Sequence, residues 1–548
     1  PAAAPAAGLD TVRAGRFDQG KMWTFEFPPA AYFQQAYGFR ADSAWFADAR
    51  LGALRLGDCS ASFVSPHGLI LTNHHCAREY EKDVERPGEN VLDDGFFAHD
   101  LDDERPVKDF HADQLIDLVD VTGVVDARVD TVAPDRRDAA RKAVLDSIKS
   151  AILAQRGGAQ AGIVVQRVSL YDGARVSAYV FRRYTDVKLV AVPELQIGYF
   201  GGDWDNFTYP RYNLDFSLFR AYGPDGKPLD TPHYFRVDTA ALRDSEPIFV
   251  VGNPGSTSRL QTVAQLEFRR DVGDRDVLAL LTSRMDVLGA YIRAHPAEAR
   301  RLDLQTQLFE IANSQKAYAG QVKGLDDPYI IARRAAAERQ LQDSIDARPA
   351  LRAKYGNLIS RMAALQAERR TDAPGFGAFI GLTSPLVSSA TLHRALIAFQ
   401  ILNARAGGAD QKTIDGLVAQ MKSVPQQPAA LDQAMMAARF AEFSRFFGDT
   451  SQLARDVLRG GSPTAAAAAV VASSALADSA RAVAQAGGDS LTGTDPAVGV
   501  VMAYLPTFAK FQQMVSTVVP EENDIARELG RARWEIYGPS QPPDATFS

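Results

Sequence analysis

The chain has 548 residues, too many for a single hydrophobic core, which stops growing at roughly 250 to 300 residues, so at least two domains are predicted. Hydrophobic residues make up 46% and charged residues 23%, a balance that is typical of a globular protein and excludes a disordered or fibrous chain. The net charge is -7 and no run of lysines and arginines could neutralise a row of phosphates, so nucleic acid is not an expected partner.

The N-terminal segment PAAAPAAG is small and interrupted by proline. It fits two interpretations equally: the start of a mature chain after removal of a signal peptide, or an arbitrary boundary. The longest small or apolar run, residues 465–477, is shorter than the roughly 17 residues that a membrane-spanning helix needs. It therefore predicts an alanine-rich helix, and no membrane span is expected.

From Met22 to about Asn253 the sequence predicts strands, because apolar residues alternate or run together between glycines and prolines. The segment CSASFVSPHGLILTN predicts two strands joined at Pro66, His67 and Gly68. Further predicted strands are VSAYVFRRY, VKLVAV, LDFSLFRAY and PIFVVGNPG. Residues 136–156 predict a surface helix between them.

After Thr257 the spacing becomes helical and stays so to about Tyr537. Apolar residues from Val277 to Ile292 recur at steps of three and four, which places them on one helix face. Several helices are predicted, separated by prolines at positions 296, 328, 374, 425 and 463. No repeat of fixed period is present, so a solenoid is not supported.

The segment GDCSASFVSPHGLILTNHHC, which ends at Cys76, carries the strongest functional signal. Cys59 and Cys76 lie on either side of the predicted hairpin and are either a pair or two unrelated thiols. The hairpin resembles the first barrel of chymotrypsin-like peptidases, in which a cysteine on one strand pairs with the cysteine directly after the catalytic histidine. This resemblance implies a Cys59–Cys76 disulfide and identifies His75, rather than His74, as the base.

A serine hydroxyl needs a neutral imidazole that accepts its proton and returns it to the leaving amine. A lone histidine is usually a core or surface group, but the flanking cysteines and strands favour this role for His75. Asp215, at the start of the predicted strand LDFSLFRAY, is the candidate carboxylate that fixes the imidazole tautomer, and a turn cap is its alternative interpretation. His74 is expected to orient the turn, since adjacent histidines lack the spacing of a metal pair.

Two further segments contain candidate site residues. GGDWDNFTYPRY predicts a binding wall, and its Asp203 and Asp205 suggest a calcium loop, but Phe207 occupies a ligand position, so no metal is expected. GNPGSTSR contains Ser256, but alignment with the GNSGS segment of related peptidases places Pro254 at the nucleophile, so Ser256 is assigned a turn role. Neither GNSGS nor GDSGG occurs in the sequence, and we expect the catalytic serine to be absent from this chain.

Several motifs occur in one order: MW near the start, the CSASFVSPHGLILTNHHC hairpin, YFGGDWDN with YPR and LDFSLFRAY, VGNPGSTSR, and a long helical region. Together they resemble the S46 family of bacterial dipeptidyl-peptidases. The resemblance implies a mixed β and α fold, with a chymotrypsin-like double β-barrel whose second barrel is largely missing here, and a large helical domain that caps the cleft. The implied parts are an N-terminal extension over 1–21, the first barrel over 22–260, the helical domain over 261–537, and the start of the second barrel over 538–548.

The resemblance also implies residue roles in a serine exopeptidase that releases N-terminal dipeptides through a Ser-His-Asp triad and an acyl-enzyme intermediate, without a cofactor. His75 and Asp215 match two triad members. Asn206 matches the asparagine that holds the substrate's N-terminal ammonium, and Phe207 sits where the family commonly has tryptophan. Asn313, in IANSQKAYAGQ, is the candidate for a second asparagine of this ammonium clamp. The family's serine lies in a GNSGSP segment after the point where this sequence ends, so this chain alone is expected to be inactive.

The alternative hypothesis is a peptide-binding relative that has lost its chemistry. The missing serine supports it, as does YPRYNLDF, where the family often has WPRHTGDF. The expected partners are peptides with a free N-terminus and a second copy of the chain in a homodimer. The expected location is the periplasm or the exterior of a bacterium, with the signal peptide already removed.

Overall fold

The structure, a computed structural model, describes residues 8–57, 59–133, 136–199, 210, 212–255, 257–371, 373–382, 384, 386–458, 460–488 and 490–544. The chain forms two compact units. The sheet unit comprises Arg13–Gln261, Ala336–Ile359 and Asn523–Ser548. The helical unit comprises Pro1–Val12, Thr262–Ala335 and Ser360–Glu522. The domain boundaries given above stay predictions.

The sheet unit is built on one antiparallel sheet. Its strands are β1 (Ala53–Leu56), β2 (Cys59–Phe63), β3 (Leu69–Thr72), β4 (Phe96–Phe97), β5 (Arg105–Pro106), β6 (Ala112–Asp120), β7 (Ile163–Leu170), β8 (Arg175–Tyr184), β9 (Val187–Val192) and β10 (Ser217–Ala221). They are ordered β4-β9-β10-β3-β2-β1-β6-β8-β7, and β5 pairs with β9. The sequence prediction of a β-rich first half is confirmed.

The predicted hairpin is formed by β2 and β3, with Ser62 opposite Leu71 and Phe63 opposite Ile70. Its turn requires glycine at position 68, where φ is +70° and a Cβ would lie 2.5 Å from the carbonyl oxygen of Ala221. Phe63 and Ile70 are fully buried in the core of the sheet. The alternating apolar pattern of the segment therefore corresponds to one face of the sheet.

The prediction of a strand over PIFVVGNPG is wrong, because the described residues 247–255 pair with no strand of the sheet. The side chain of Phe249 packs against Phe33, Phe39 and Trp45, while Val250 is 98% exposed. The alternation that resembled a strand is real, but the segment has no strand pairing among the described residues. Its bonds to the sheet run instead from Asn253 to the hydroxyl of Ser60 in β2 and to the carbonyl of Leu54 in β1.

In the part of the chain that the structure describes, eight α-helices precede residue 261. They are α1 (Ala30–Tyr37), α2 (Ser43–Gly52), α3 (His74–Ala77), α4 (Glu81–Val84), α5 (Val91–Asp94), α6 (Thr122–Val129), α7 (Arg137–Gln155) and α8 (Leu195–Gly198). The predicted surface helix is α7, which packs on the sheet through Val144 and Leu145.

The rest of the chain is helical, and this prediction is also confirmed. The helices are α9 (Val263–Phe268), α10 (Asp274–Ala294), α11 (Pro296–Arg301), α12 (Leu304–Leu325), α13 (Pro328–Asp346), α14 (Pro349–Tyr355), α15 (Leu358–Thr371), α16 (Ala373–Phe379), α17 (Ala390–Ala406), α18 (Gln411–Ser423), α19 (Ala429–Phe447), α20 (Gln452–Leu458), α21 (Pro463–Ser473), α22 (Ser479–Gly487) and α23 (Pro496–Tyr537). Among the described residues, no helix is both long and apolar enough to span a membrane.

The core of the helical unit includes α17, in which every residue from Ala390 to Ala398 is buried. A helix that is buried on every side lies inside a core rather than on its surface. Three of the predicted proline breaks, at positions 296, 328 and 463, are the first residues of helices. At the last of these, Ser462 caps the helix by accepting a hydrogen bond from the amide of Ala465.

Candidate active site

The sheet brings two distant segments of the chain together. β3 pairs with β10 so that Thr72, at the end of one strand, lies opposite Ser217, at the start of the other. The residues that follow Thr72 and those that precede Ser217 therefore meet at the same edge. His75 lies in α3, three residues after β3, and Asp215 lies just before β10 rather than within it.

His75 and Asp215 form a hydrogen-bonded pair. The Nδ1 atom of His75 lies 3.1 Å from Oδ1 and 3.0 Å from Oδ2 of Asp215. Since a carboxylate oxygen accepts, Nδ1 carries the hydrogen, and Nε2 is left as the basic nitrogen. The His75 side chain is 51% exposed and that of Asp215 is 8% exposed, so the carboxylate is inside and the imidazole faces solvent.

The Asp215 carboxylate is also held by groups of the segment that follows β3. The amide of His75 donates to Oδ1 at 3.2 Å, and Nδ2 of Asn73 donates to Oδ2 at 3.2 Å. Asn73 donates to the carbonyl of Asp215 as well, and its own carbonyl accepts from the Ser217 hydroxyl at 2.8 Å. Asn73 and Ser217 were not among the predicted site residues, although Asn73 lies within the LTNHHC segment that carried the prediction.

Cys59 and Cys76 form the predicted disulfide, with a Cα–Cα distance of 6.3 Å. It links the start of β2 to α3, directly after His75. The sulfur atoms lie near the His75 ring, but because they are bonded to each other they are not thiolate ligands. The disulfide therefore holds the segment of His75 in place, and the three side chains do not form a metal centre.

His74 occupies the opposite environment from its neighbour. It is 1% exposed, and its Nε2 lies 2.9 Å from the carbonyl oxygen of Pro193. A carbonyl can only accept, so Nε2 carries the hydrogen. Burial lowers the pKa of His74, and the carbonyl of Pro193, which favours the charged form, does not outweigh it. His74 is therefore a neutral donor inside the protein.

The roles of the remaining candidates stay predictions. Asn206, Phe207 and Ser256 lie outside the described residues. Asn313 is an exposed residue of α12 in the helical unit, and its proposed role stays a prediction.

Comparisons with known proteins indicate the same family. The family model "Peptidase S46" matches residues 17–548. An Asp/Glu-specific dipeptidyl-peptidase of Capnocytophaga gingivalis is 28% identical over 320 residues, which are 56% of this chain and 43% of that protein. Dipeptidyl-peptidase 7 of the same organism is 27% identical over 318 residues, with the same coverage of 56% and 43%. The chain thus aligns with less than half the length of these curated relatives.

Among solved structures, DPP11 of Porphyromonas endodontalis, crystallised with the dipeptide Arg-Glu, superimposes with a TM-score of 0.75 at 17% identity. The match covers 96% of this chain and 79% of that one, and it establishes a common fold. The family model extends over nearly the whole sequence and includes both His75 and Asp215. The chain belongs to the peptidase S46 family.

Proposed function

We propose that the whole protein releases dipeptides from the N-termini of oligopeptides by serine-peptidase chemistry, with His75 as general base and Asp215 as its orienting carboxylate. The observation that carries this proposal is the pair itself: a buried carboxylate on Nδ1 of a half-exposed imidazole. The family and the names of the curated relatives supply the reaction class.

In the proposed reaction, Nε2 of His75 accepts the proton of a serine hydroxyl as the oxygen attacks the scissile carbonyl. The imidazolium that forms lies against Asp215, which stabilises its positive charge and keeps Nε2 directed outward. His75 then returns the proton to the leaving amine, and an acyl-enzyme remains. Water releases the dipeptide by the same route in reverse, with His75 again acting as base and then as acid.

We propose peptides with a free N-terminus as the substrates. The names of the relatives include both an Asp/Glu-specific dipeptidyl-peptidase and dipeptidyl-peptidase 7, and DPP11 was crystallised with Arg-Glu and with Arg-Asp. The substrate set for a test therefore includes peptides with an acidic second residue and peptides with an apolar one. Asn206 and Asn313 are the proposed ligands of the substrate ammonium group.

The finer fold and location belong to the same proposal. We propose that the sheet unit is the first barrel of a chymotrypsin-like double barrel, and that the protein is a homodimer in the periplasm or outside the cell. The Cys59–Cys76 disulfide supports this location, because disulfides persist in oxidising compartments.

The test uses the full-length gene product and dipeptides carrying a fluorescent amide leaving group. Peptides with a free N-terminus are expected to be cleaved, and N-acetylated peptides are not. His75→Ala is expected to lower kcat by about 10⁴-fold or more. His67→Ala, which replaces an exposed histidine in the turn between β2 and β3, is the matched control and should leave the rate unchanged.

Two results would contradict the proposal. Equal cleavage of free and acetylated peptides would exclude recognition of the ammonium group. A full-length protein that binds dipeptides in calorimetry but does not cleave them would instead identify the peptide-binding relative that has lost its chemistry.

A further inference from the structure

Asn73 is the residue directly before α3, but its side chain does not cap that helix. An asparagine at this position usually accepts a hydrogen bond from an amide of the first helical turn through its side-chain oxygen. Within the described residues, the Asn73 side chain makes no such bond. Asp215 serves the helix instead, because its Oδ1 accepts from the amide of His75, the second residue of α3, at 3.2 Å. A carboxylate from a distant segment therefore takes the place of the local cap.

The Asn73 side chain is directed at Asp215. Its Nδ2 lies 3.2 Å from Oδ2 of the carboxylate and 3.2 Å from the backbone carbonyl oxygen of the same residue. Both oxygens can only accept, so the NH2 group of Asn73 faces Asp215, and its two hydrogens suffice for both bonds. One side chain thus fixes the backbone and the carboxylate of Asp215 together.

Ser217 fixes Asn73 in turn. Ser217 is fully buried, and its hydroxyl donates to the carbonyl oxygen of Asn73 at 2.8 Å. The same carbonyl accepts from the amide of Cys76 at 3.2 Å, the disulfide-bonded residue directly after His75. Since Ser217 begins β10, this bond joins the strand that follows Asp215 to the segment that contains His75.

The two oxygens of the Asp215 carboxylate are therefore held from different sides. The amide of His75 binds Oδ1, and Nδ2 of Asn73 binds Oδ2. The last torsion of an aspartate side chain has a broad energy minimum, so a carboxylate without these bonds could turn away from the imidazole. Its alignment with Nδ1 of His75 depends on both donors.

We propose that Asn73 and Ser217 are positioning residues of the peptidase reaction. Ser217 orients Asn73, and Asn73 orients the carboxylate that keeps Nε2 of His75 available as the base. This role rests on the proposed function, because it concerns the same site. Both residues act through Asp215 rather than on the peptide itself.

The main test separates the positioning of Asp215 from the capping of α3, in the full-length gene product. Asn73→Ala removes the donor and the capping group, whereas Asn73→Ser keeps a residue that is favoured before a helix but is too short to replace the two N–H bonds. Both variants are expected to lower kcat by about 10- to 100-fold, the effect of losing a hydrogen bond to a charged group. KM should stay within about 2-fold of the unsubstituted value, because no contact with the substrate is removed.

Asn73→Asp gives a second comparison. Aspartate is also favoured before a helix, but its carboxylate would face that of Asp215, and the two repel each other. Its kcat is expected to fall at least as far as that of Asn73→Ala. An unsubstituted kcat in Asn73→Ser or Asn73→Asp would assign Asn73 to helix capping and overturn the inference. The control is Ser65→Ala, which removes a hydroxyl bonded to two amides of the hairpin turn and should leave kcat unchanged.

Hydrogen exchange tests the same role without catalysis. The amide of His75 donates to the Asp215 carboxylate, and that of Cys76 donates to the carbonyl of Asn73. In Asn73→Ala, exchange at His75 is expected to accelerate by about 10-fold or more, while Cys76 keeps its protection. Unchanged exchange at His75 would refute the role of Asn73 even in an active enzyme. Equal acceleration at both amides would mean that α3 itself had loosened, and it would also overturn the inference.

A milder variant covers the case in which the Asn73 variants fail to fold. Ser217→Ala removes one neutral hydroxyl, and the Asn73 carbonyl keeps its bond to Cys76. It should lower kcat by about 3- to 10-fold with KM preserved, and an unchanged kcat would overturn the inference. An unsubstituted protein that cleaves no peptide would overturn the proposed function, and the exchange experiment would then decide the role of Asn73 alone.

Discussion

The hydrogen bonds around the Asp215 carboxylate determine the role that this residue can have in the candidate site. Its carboxylate accepts hydrogen bonds from the ring and the amide of His75 and from the side chain of Asn73. A carboxylate held from several directions cannot rotate, so it fixes both the tautomer and the orientation of the imidazole. Asn73 and His75 are close together in the sequence. The hydrogen-bonded arrangement is therefore formed by one short segment and one distant residue, Asp215.

The role of Asp215 predicts the effect of Asp215→Asn. An amide can donate to Nδ1 and so select the wrong tautomer, and kcat of the full-length protein is expected to fall by about 10⁴-fold with little change in KM. Steady-state kinetics measure this, with Asp230→Asn, at an exposed position, as the control. A loss of less than about 10-fold would mean that Asp215 only caps the turn.

At the scale of elements, the β2–β3 hairpin and α3 are joined covalently. The disulfide closes the chain between residues 59 and 76, a sequence separation of 17. This loop contains the whole hairpin and ends at the residue after His75. The disulfide therefore limits the conformations that this segment can adopt in the unfolded chain.

We expect Cys59→Ser combined with Cys76→Ser to lower the free energy of unfolding by about 3 kcal/mol, the loop entropy of a cross-link of this length. Urea unfolding followed by far-UV circular dichroism measures the loss. A reducing agent should lower the stability of the unsubstituted protein by a similar amount and leave the double variant unchanged. If reduction also destabilised the double variant, the agent would be acting elsewhere.

The helix α10 contains a carboxylate whose ionisation opposes folding. Burial raises the pKa of Asp276 from 3.8 to about 6, although the charge of Arg445 and the amide of Gly377 both favour its ionised form. In the unfolded chain the group ionises at lower pH, so the folded state binds the proton more tightly. The free energy of unfolding therefore falls as the pH rises from about 4 to about 6 and then levels off.

Asp276→Asn should remove this pH dependence. Relative to the variant, the unsubstituted protein is expected to lose roughly 1 to 2 kcal/mol of stability between pH 4 and pH 7, because water screens a carboxylate that is only partly buried. Urea unfolding at a series of pH values measures the difference. The control is Asp286→Asn, which changes an exposed aspartate on the same helix and should keep the pH dependence of the unsubstituted protein. If this control also lost the pH dependence, the cause would be the general charge of the helix rather than Asp276.

At the scale of the whole molecule, both units contain buried charged groups. In the sheet unit, the fully buried Asp113 pairs with Arg55 and Arg183, each at 2.7 Å. The helical unit contains a buried charged cluster, in which Glu442 pairs with both Arg284 and Arg439, at 3.0 and 2.9 Å. Both arginines are fully buried, and burial lowers the pKa of Arg439 to about 10 despite the nearby glutamate.

Removing the shared carboxylate leaves two buried cations without this partner. Glu442→Gln is therefore expected to lower the stability of the helical unit by about 3 to 5 kcal/mol. Hydrogen exchange in α10 and α19 measures the loss, with β1 to β3 as the internal reference. Glu521→Gln, which breaks an exposed pair with Arg361, should cost less than about 1 kcal/mol; a similar loss in both variants would mean that burial of the cluster adds nothing.

Sequence patterns located most elements because their period follows from local geometry. The predicted helix at 136–156 is α7, and the predicted end of helical spacing at Tyr537 is the end of α23. Prolines were less reliable guides. Pro506 and Pro520 lie inside α23, where buried residues such as Tyr504 and Leu529 pack well enough to offset the hydrogen bonds that the prolines remove.

By itself, the sequence determined the family, the β-rich and helical halves, the disulfide partners, and the identities of His75 and Asp215 as candidates. These follow from residue types at fixed short spacings, which are encoded locally. Only the tertiary structure decided that residues 247–251 pair with no strand of the described chain, that Asn73 holds the carboxylate, and that His74 turns inward to Pro193 and Gly198. Each of these depends on contacts between segments far apart in the chain, and such contacts leave no periodic pattern in either segment.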